Sequence, residues 1–146
     1  MRRHACLQKQ ERWTSRALFS LIFFLYTWAE TVSECHIEGG KPGDSVGAIR
    51  NARIGTTDIY HRQRLLAYSD LDRFYTYEFC DPLPYPVRNC VITLRITPIT
   101  DGNRAFVEWS ATFDCDPAEY DHWTAYFANE VWSKLLESLK RRLSHP

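Results

Sequence analysis

Between residues 44 and 113, apolar and aromatic positions alternate with polar ones in one short run after another. A period of two marks strands that bury one face and wet the other. The runs Glu30–Glu38, Val46–Ile54, Ile59–Ala67, Arg73–Cys80, Val87–Ile99 and Arg104–Asp114 read as successive strands. They are separated by turn-forming clusters: Gly39 to Asp44, Gly55 to Asp58, Ser69 to Asp72 and Thr100 to Asn103. Asp101-Gly102 supplies the positive φ angles that a tight hairpin needs. Asp81 to Pro86 holds three prolines, which excludes it from a sheet interior and makes it a stiff loop of the kind that rims pockets. The apolar faces carry Tyr75, Tyr77 and Phe79, then Cys90, Ile92, Leu94 and Ile96, then Val107, Trp109, Ala111 and Phe113. Arg50, His61 and Gln63 are polar exceptions on the inward side. A helix follows: Asp116 caps it, Pro117 suits its first position, and Glu119 completes a capping-box pattern. Ala128, Val131, Trp132, Leu135, Leu136, Leu139 and Leu143 form one broad apolar stripe along it. Running to about Leu143 it spans roughly 40 Å, enough to lie along the whole concave face of the sheet.

Composition narrows the function classes. The chain has 146 residues, 45% hydrophobic and 25% charged, as an ordinary soluble domain has. Its 18 basic residues balance its 18 acidic ones, so the electrostatic footprint of a nucleic-acid binder is missing. Five cysteines occur without CxxC or Cys/His zinc spacing, which points to free thiols, or to a disulfide between strands if the protein is exported, and to no metal centre. Cys35 and His36 are strand neighbours on opposite faces and form no dyad. No nucleophile elbow and no glycine-rich phosphate loop is present, and no cofactor is expected.

Ala17 to Ala29 is a dense apolar run behind Arg2, Arg3, Lys9, Arg12 and Arg16. Two readings stand: a helix packed under the sheet in a cytoplasmic protein, or a signal peptide of an exported one, cleaved after Ala29. The run is too short for a stable membrane span, which takes about 20 residues. If it is not buried, it offers a surface for a homo-oligomer.

The order of short helix, antiparallel meander and long C-terminal helix resembles the START/Bet v 1-like (SRPBCC) superfamily, in its polyketide cyclase/dehydrase and lipid-transport branch. The stretches that carry the resemblance are Ile37 to Gly40, Pro42 to Arg50, Arg64 to Ala67, Tyr75 to Glu78, Pro82 to Pro84, Thr93 to Pro98 and Val107 to Trp109. The resemblance implies an α+β helix-grip fold, a curved antiparallel sheet wrapped around the C-terminal helix with an apolar cavity between them. It assigns residues 17–146 to that single domain and leaves 1–16 without a defined element. Met1 to Arg16 either contains a poor edge strand or the sheet lacks one. The implied partner is a hydrophobic small molecule such as a lipid or polyketide. Some members of the superfamily convert their ligands by cyclisation, dehydration or isomerisation.

Arg50 shares a strand face with Ala48 and Ala52, which leave room beside a long cation. It either holds an oxygen of a ligand or pairs with an internal carboxylate. The resemblance favours the first, because catalytic look-alikes such as plant lachrymatory-factor synthase use an Arg at this matching position. They carry a Glu where this chain has Gln63, and an amide orients a ligand but transfers no proton. His61 is a candidate proton carrier near neutral pH, although a lone inward histidine is more often a plain buried or rim residue. Tyr75, Tyr77, Trp109, Phe113 and Trp132 are the candidate apolar walls. Two functions follow: a carrier in which Arg50 and Gln63 orient a polar head, or an enzyme in which Arg50 stabilises charge and His61 or Tyr77 moves a proton.

Overall fold

A computed structural model describes residues 3–11, 29–102 and 104–144. The strands are β1 (Arg3–Glu11), β2 (Val32–Ile37), β3 (Ile49–Ile54), β4 (Tyr60–Ser69), β5 (Phe74–Phe79), β6 (Arg88–Ile99) and β7 (Arg104–Asp114). They form one antiparallel seven-stranded sheet in the order β1-β7-β6-β5-β4-β3-β2. Six of the seven lie where the alternating pattern places them. The seventh, β1, answers the question left open for the first sixteen residues. It is an edge strand paired with β7 from Arg3↔Phe113 to Glu11↔Ala105. Its inward positions Ala5 and Leu7 are modest apolar residues among charges, so its alternation is faint, yet Ala5 is fully buried.

Curvature has a local cause. The β4–β5 register slips between Leu65 and Ala67. Such a bulge bends the strand and increases its twist. The concave face carries Tyr75, Tyr77, Ile92, Leu94, Ile96, Val107, Trp109 and Phe113, all buried. Each such large side chain contributes about 1.5–3 kcal/mol of hydrophobic stabilisation. The opposite face is dressed with polar cross-strand pairs, Thr76 with Thr93 at 2.9 Å and Arg64 with Glu78 at 2.8 Å.

The C-terminal helix closes the concave face. A 3₁₀ turn at Pro117–Glu119 leads into α1 (Tyr120–Ala125), a π-helical segment (Tyr126–Trp132) and α2 (Ser133–Ser144). Asp116 caps the start, its carboxylate accepting from the Ala118 N–H at 2.9 Å. The expected stripe is correct from Trp132 to Leu139, where Trp132, Leu135, Leu136 and Leu139 are buried, and the side chain of Leu143 lies outside those described. Before Trp132, the buried residues are Tyr120, Trp123 and Phe127, while Ala128 is only partly buried. Trp132 follows Phe127 by five positions, a spacing that sets side chains about 140° apart on a regular α-helix. The i→i+5 geometry of a π turn brings them back to one face. Their rings stack at 5.7 Å with an interplanar angle of 22°. The Ala128 carbonyl accepts from both the Ser133 backbone N–H and, at 2.9 Å, the Ser133 hydroxyl.

All five cysteines are free thiols, and burial pushes that of Cys90 up to about 12. The apolar run at 17–28 lies outside the described residues, and with it the choice between packed helix and signal peptide. Among the described residues, no helix is long and apolar enough to cross a membrane.

Candidate functional site

Sheet and helix do not meet everywhere. Between them lies a cavity of about 240 Å³. Its floor is the inner face of the sheet, with Ala52 from β3, His61 and Gln63 from β4, Tyr77 and Phe79 from β5, and Ile92 from β6. Tyr126, Phe127, Val131, Trp132 and Leu135 of the helix form the roof. Thr31, Val32 and the Glu130–Lys134 ion pair, closed at 2.8 Å, stand at one side.

Period-two alternation brings His61 and Gln63 to the cavity, and register supplies the partner of Gln63. Arg50 and Gln63 are directly opposed on β3 and β4. The Arg50 guanidinium donates to Gln63 Oε1 from Nε at 3.0 Å and from Nη2 at 2.5 Å. It also lies over the rings of Tyr77 and Tyr75, at 5.5 and 6.0 Å from their centroids. The Gln63 amide is thus one partner of Arg50. Arg50 itself is not among the residues lining the cavity.

His61 meets ring edges, with Phe79 at 5.9 Å and Tyr85 at 5.5 Å between centroids. Burial disfavours the imidazolium and pushes the His61 pKa from its ordinary 6.5 down to about 4. At pH 7 it is a neutral imidazole, as the reading of a plain buried histidine has it.

Tyr85 comes from the proline-rich loop and is the hub of an aromatic cluster, with Phe79, Trp123, Tyr126 and Phe127 all within 6 Å between ring centroids. An external clasp holds that loop. Arg62 donates to the Asp81 carbonyl and pairs in a fork with Glu38, Nε to Oε1 at 2.7 Å and Nη2 to Oε2 at 2.9 Å. The Arg62 hydrogen bond, aided by one from Asn51, holds the Glu38 carboxyl down at about 2 against burial.

Of the residues singled out from the sequence, His61, Gln63, Tyr77 and Trp132 line this cavity. Arg50 and Tyr75 stand behind Gln63 and Tyr77. Trp109 and Phe113 belong to the packed core, Phe113 meeting Phe127 at 5.4 Å. Sequence reasoning missed Tyr85, Tyr126 and Phe127 as lining residues. The signal for Phe127 was its five-residue spacing from Trp132, which fits a π turn and no α stripe.

Comparison with known proteins agrees with this architecture. Residues 19–144 match the family model described as polyketide cyclase/dehydrase and lipid transport. No curated protein matches the chain in sequence. Among solved structures, XoxI from Bacillus cereus is similar over 98% of this chain and 99% of its own, with 23% identity and a TM-score of 0.80. A Thermobifida fusca protein matches over 95% of this chain and 91% of its own, with 23% identity and a TM-score of 0.81. Norcoclaurine synthase from Thalictrum flavum, solved with dopamine and hydroxybenzaldehyde, covers 100% of this chain and 89% of its own at 11% identity, with a TM-score of 0.75. At these identities the likeness is one of fold, the Bet v 1-like helix grip.

Proposed function

Because the chain belongs to the polyketide cyclase/dehydrase and lipid transport family, we propose that it binds a small hydrophobic molecule between its sheet and its C-terminal helix. The observation that carries this reading is the cavity of about 240 Å³, walled by aromatic rings and provided with two inward polar side chains, Gln63 and His61. An apolar cavity of about 150 Å³ takes a benzene ring. This one suits a substituted ring or a short acyl chain, below the roughly 300–1,000 Å³ of pockets for drug-sized ligands. Trp132 and Tyr77 pack the apolar body of the ligand, and Gln63, steadied by Arg50, orients its polar end.

Ala52 tests the location. It is fully buried and lines the cavity, so Ala52→Leu projects three further carbons into the vacant space. Affinity for ethylbenzene, followed by NMR shift titration, is expected to fall about tenfold or more, the equivalent of roughly 1.4 kcal/mol. Unchanged affinity in the folded variant would place the ligand elsewhere.

A second reading, a cofactor-free cyclase, dehydratase or isomerase, draws on His61, whose imidazole has no hydrogen-bond partner among the described residues. A base of pKa about 4 is weak, and the Gln63 amide transfers no proton, so binding is the better supported function. The two separate on His61→Phe. An enzyme loses turnover and keeps ligand affinity, whereas a carrier has no turnover to lose.

A further inference from the structure

We propose that the cavity selects an uncharged, ring-sized molecule bearing a hydrogen-bond acceptor oxygen (a ketone, aldehyde, ester or ether), which accepts from Gln63 Nε2. This rests on the binding reading above and adds to it the class of ligand.

Gln63 is 4% exposed, so its amide is committed to the interior. Its orientation follows from chemistry. A guanidinium has donors and no acceptor, so the amide edge facing Arg50 is the oxygen. The NH₂ group is therefore turned away from Arg50. It finds no acceptor among the described residues. Nor is it sealed in: the closed-off polar side-chain atoms without a partner are Asn51 Oδ1, Trp109 Nε1 and Trp123 Nε1. Gln63 lines the cavity, so its open donor belongs to that space. A buried donor left unmade carries a desolvation cost that an acceptor on the ligand removes.

Charge decides which acceptors qualify. The Arg50 guanidinium stands behind Gln63, donating to its Oε1, and lies outside the lining. Lys134 is exposed and paired with Glu130. His61 is neutral at pH 7. A carboxylate drawn inside would thus lose its water without meeting an unpaired cation among the lining residues. A cationic ligand would meet no anion deeper than Glu130, which is already paired. The neutral acceptor is the form that the site completes.

The test uses three probes of matched size, acetophenone, ethylbenzene and benzoate, titrated at pH 7 into wild type and Gln63→Glu by NMR shift perturbation. Wild type is expected to bind acetophenone at least about tenfold more tightly than ethylbenzene, the scale of one hydrogen bond, and to reject benzoate. Beside Arg50 a glutamate stays ionised and is acceptor-only. Gln63→Glu should therefore lose the acetophenone preference over ethylbenzene. Equal binding of acetophenone and ethylbenzene by wild type, a preference that survives in Gln63→Glu, or tightest binding of benzoate would each overturn the proposal. Should the variant fail to fold, the wild-type comparison decides alone. Binding of none of the probes would overturn the cavity reading itself, a different failure from binding without selection.

Discussion

Replacing Trp132 with alanine is expected to cost about 3–5 kcal/mol of stability, the range for deleting a buried tryptophan or phenylalanine side chain. Trp132 is 1% exposed and stacks on Phe127, itself buried to the same degree. The hole cannot collapse easily, since Phe127 is held from the other side by Phe113 and Tyr85. The new void also merges with the existing cavity, so the surrounding rings lose contacts on one side. A loss of that size is a large fraction of the 5–15 kcal/mol by which domains are stable. Urea unfolding checks it, and a loss under about 1 kcal/mol would show that the Phe127–Trp132 stack does not anchor the helix.

The second large effect is on pH dependence. The folded chain keeps His61 neutral down to about 4, whereas an unfolded imidazole takes a proton near 6.5. Between these values the unfolded state binds more protons than the folded one, so stability falls as the pH falls. The contribution is full above 6.5 and gone below about 4, on the order of 3 kcal/mol in all. His61→Phe removes it and retains the ring contacts with Phe79 and Tyr85. The variant's urea midpoint is expected to change far less than that of wild type between pH 7 and pH 4.5. Glu38 acts in a lower window: its depressed carboxyl gives stability that is present above 4.5 and lost as the pH falls through about 2. Equal acid sensitivity of wild type and variant in the upper window would mean that His61 is hydrated in the folded state.

What the sequence made legible follows from how far each pattern reaches. Period-two alternation needs only neighbours along the chain, so the inward faces of Tyr75–Phe79 and of Val107–Phe113 could be read directly. The prolines of 81–86 announced a stiff loop, and Tyr85 of that loop meets the cavity. β1 was faint because Ala5 and Leu7 are its inward residues and the hydrogen bonds to β7 come from more than 90 positions away. The Arg50–Gln63 bond depends on the register between two strands, which composition does not encode. The low pKa of His61 depends on desolvation by groups such as Phe79 and Tyr85, brought together from another strand and a loop.

The π turn carries a consequence for comparison among relatives. It acts as a one-residue insertion that changes neither end of the helix: α1 and α2 each keep a regular phase, and the surplus is absorbed between Phe127 and Trp132. Against a relative whose helix is α throughout, an ungapped alignment that is right at Leu136 is wrong by one position at Trp123. Cavity-lining residues at the start of the turn, such as Tyr126 and Phe127, would then be matched to neighbours on another face of the helix. Any transfer of residue roles onto the first half of this helix has to place a gap within 126–132 before it compares side chains.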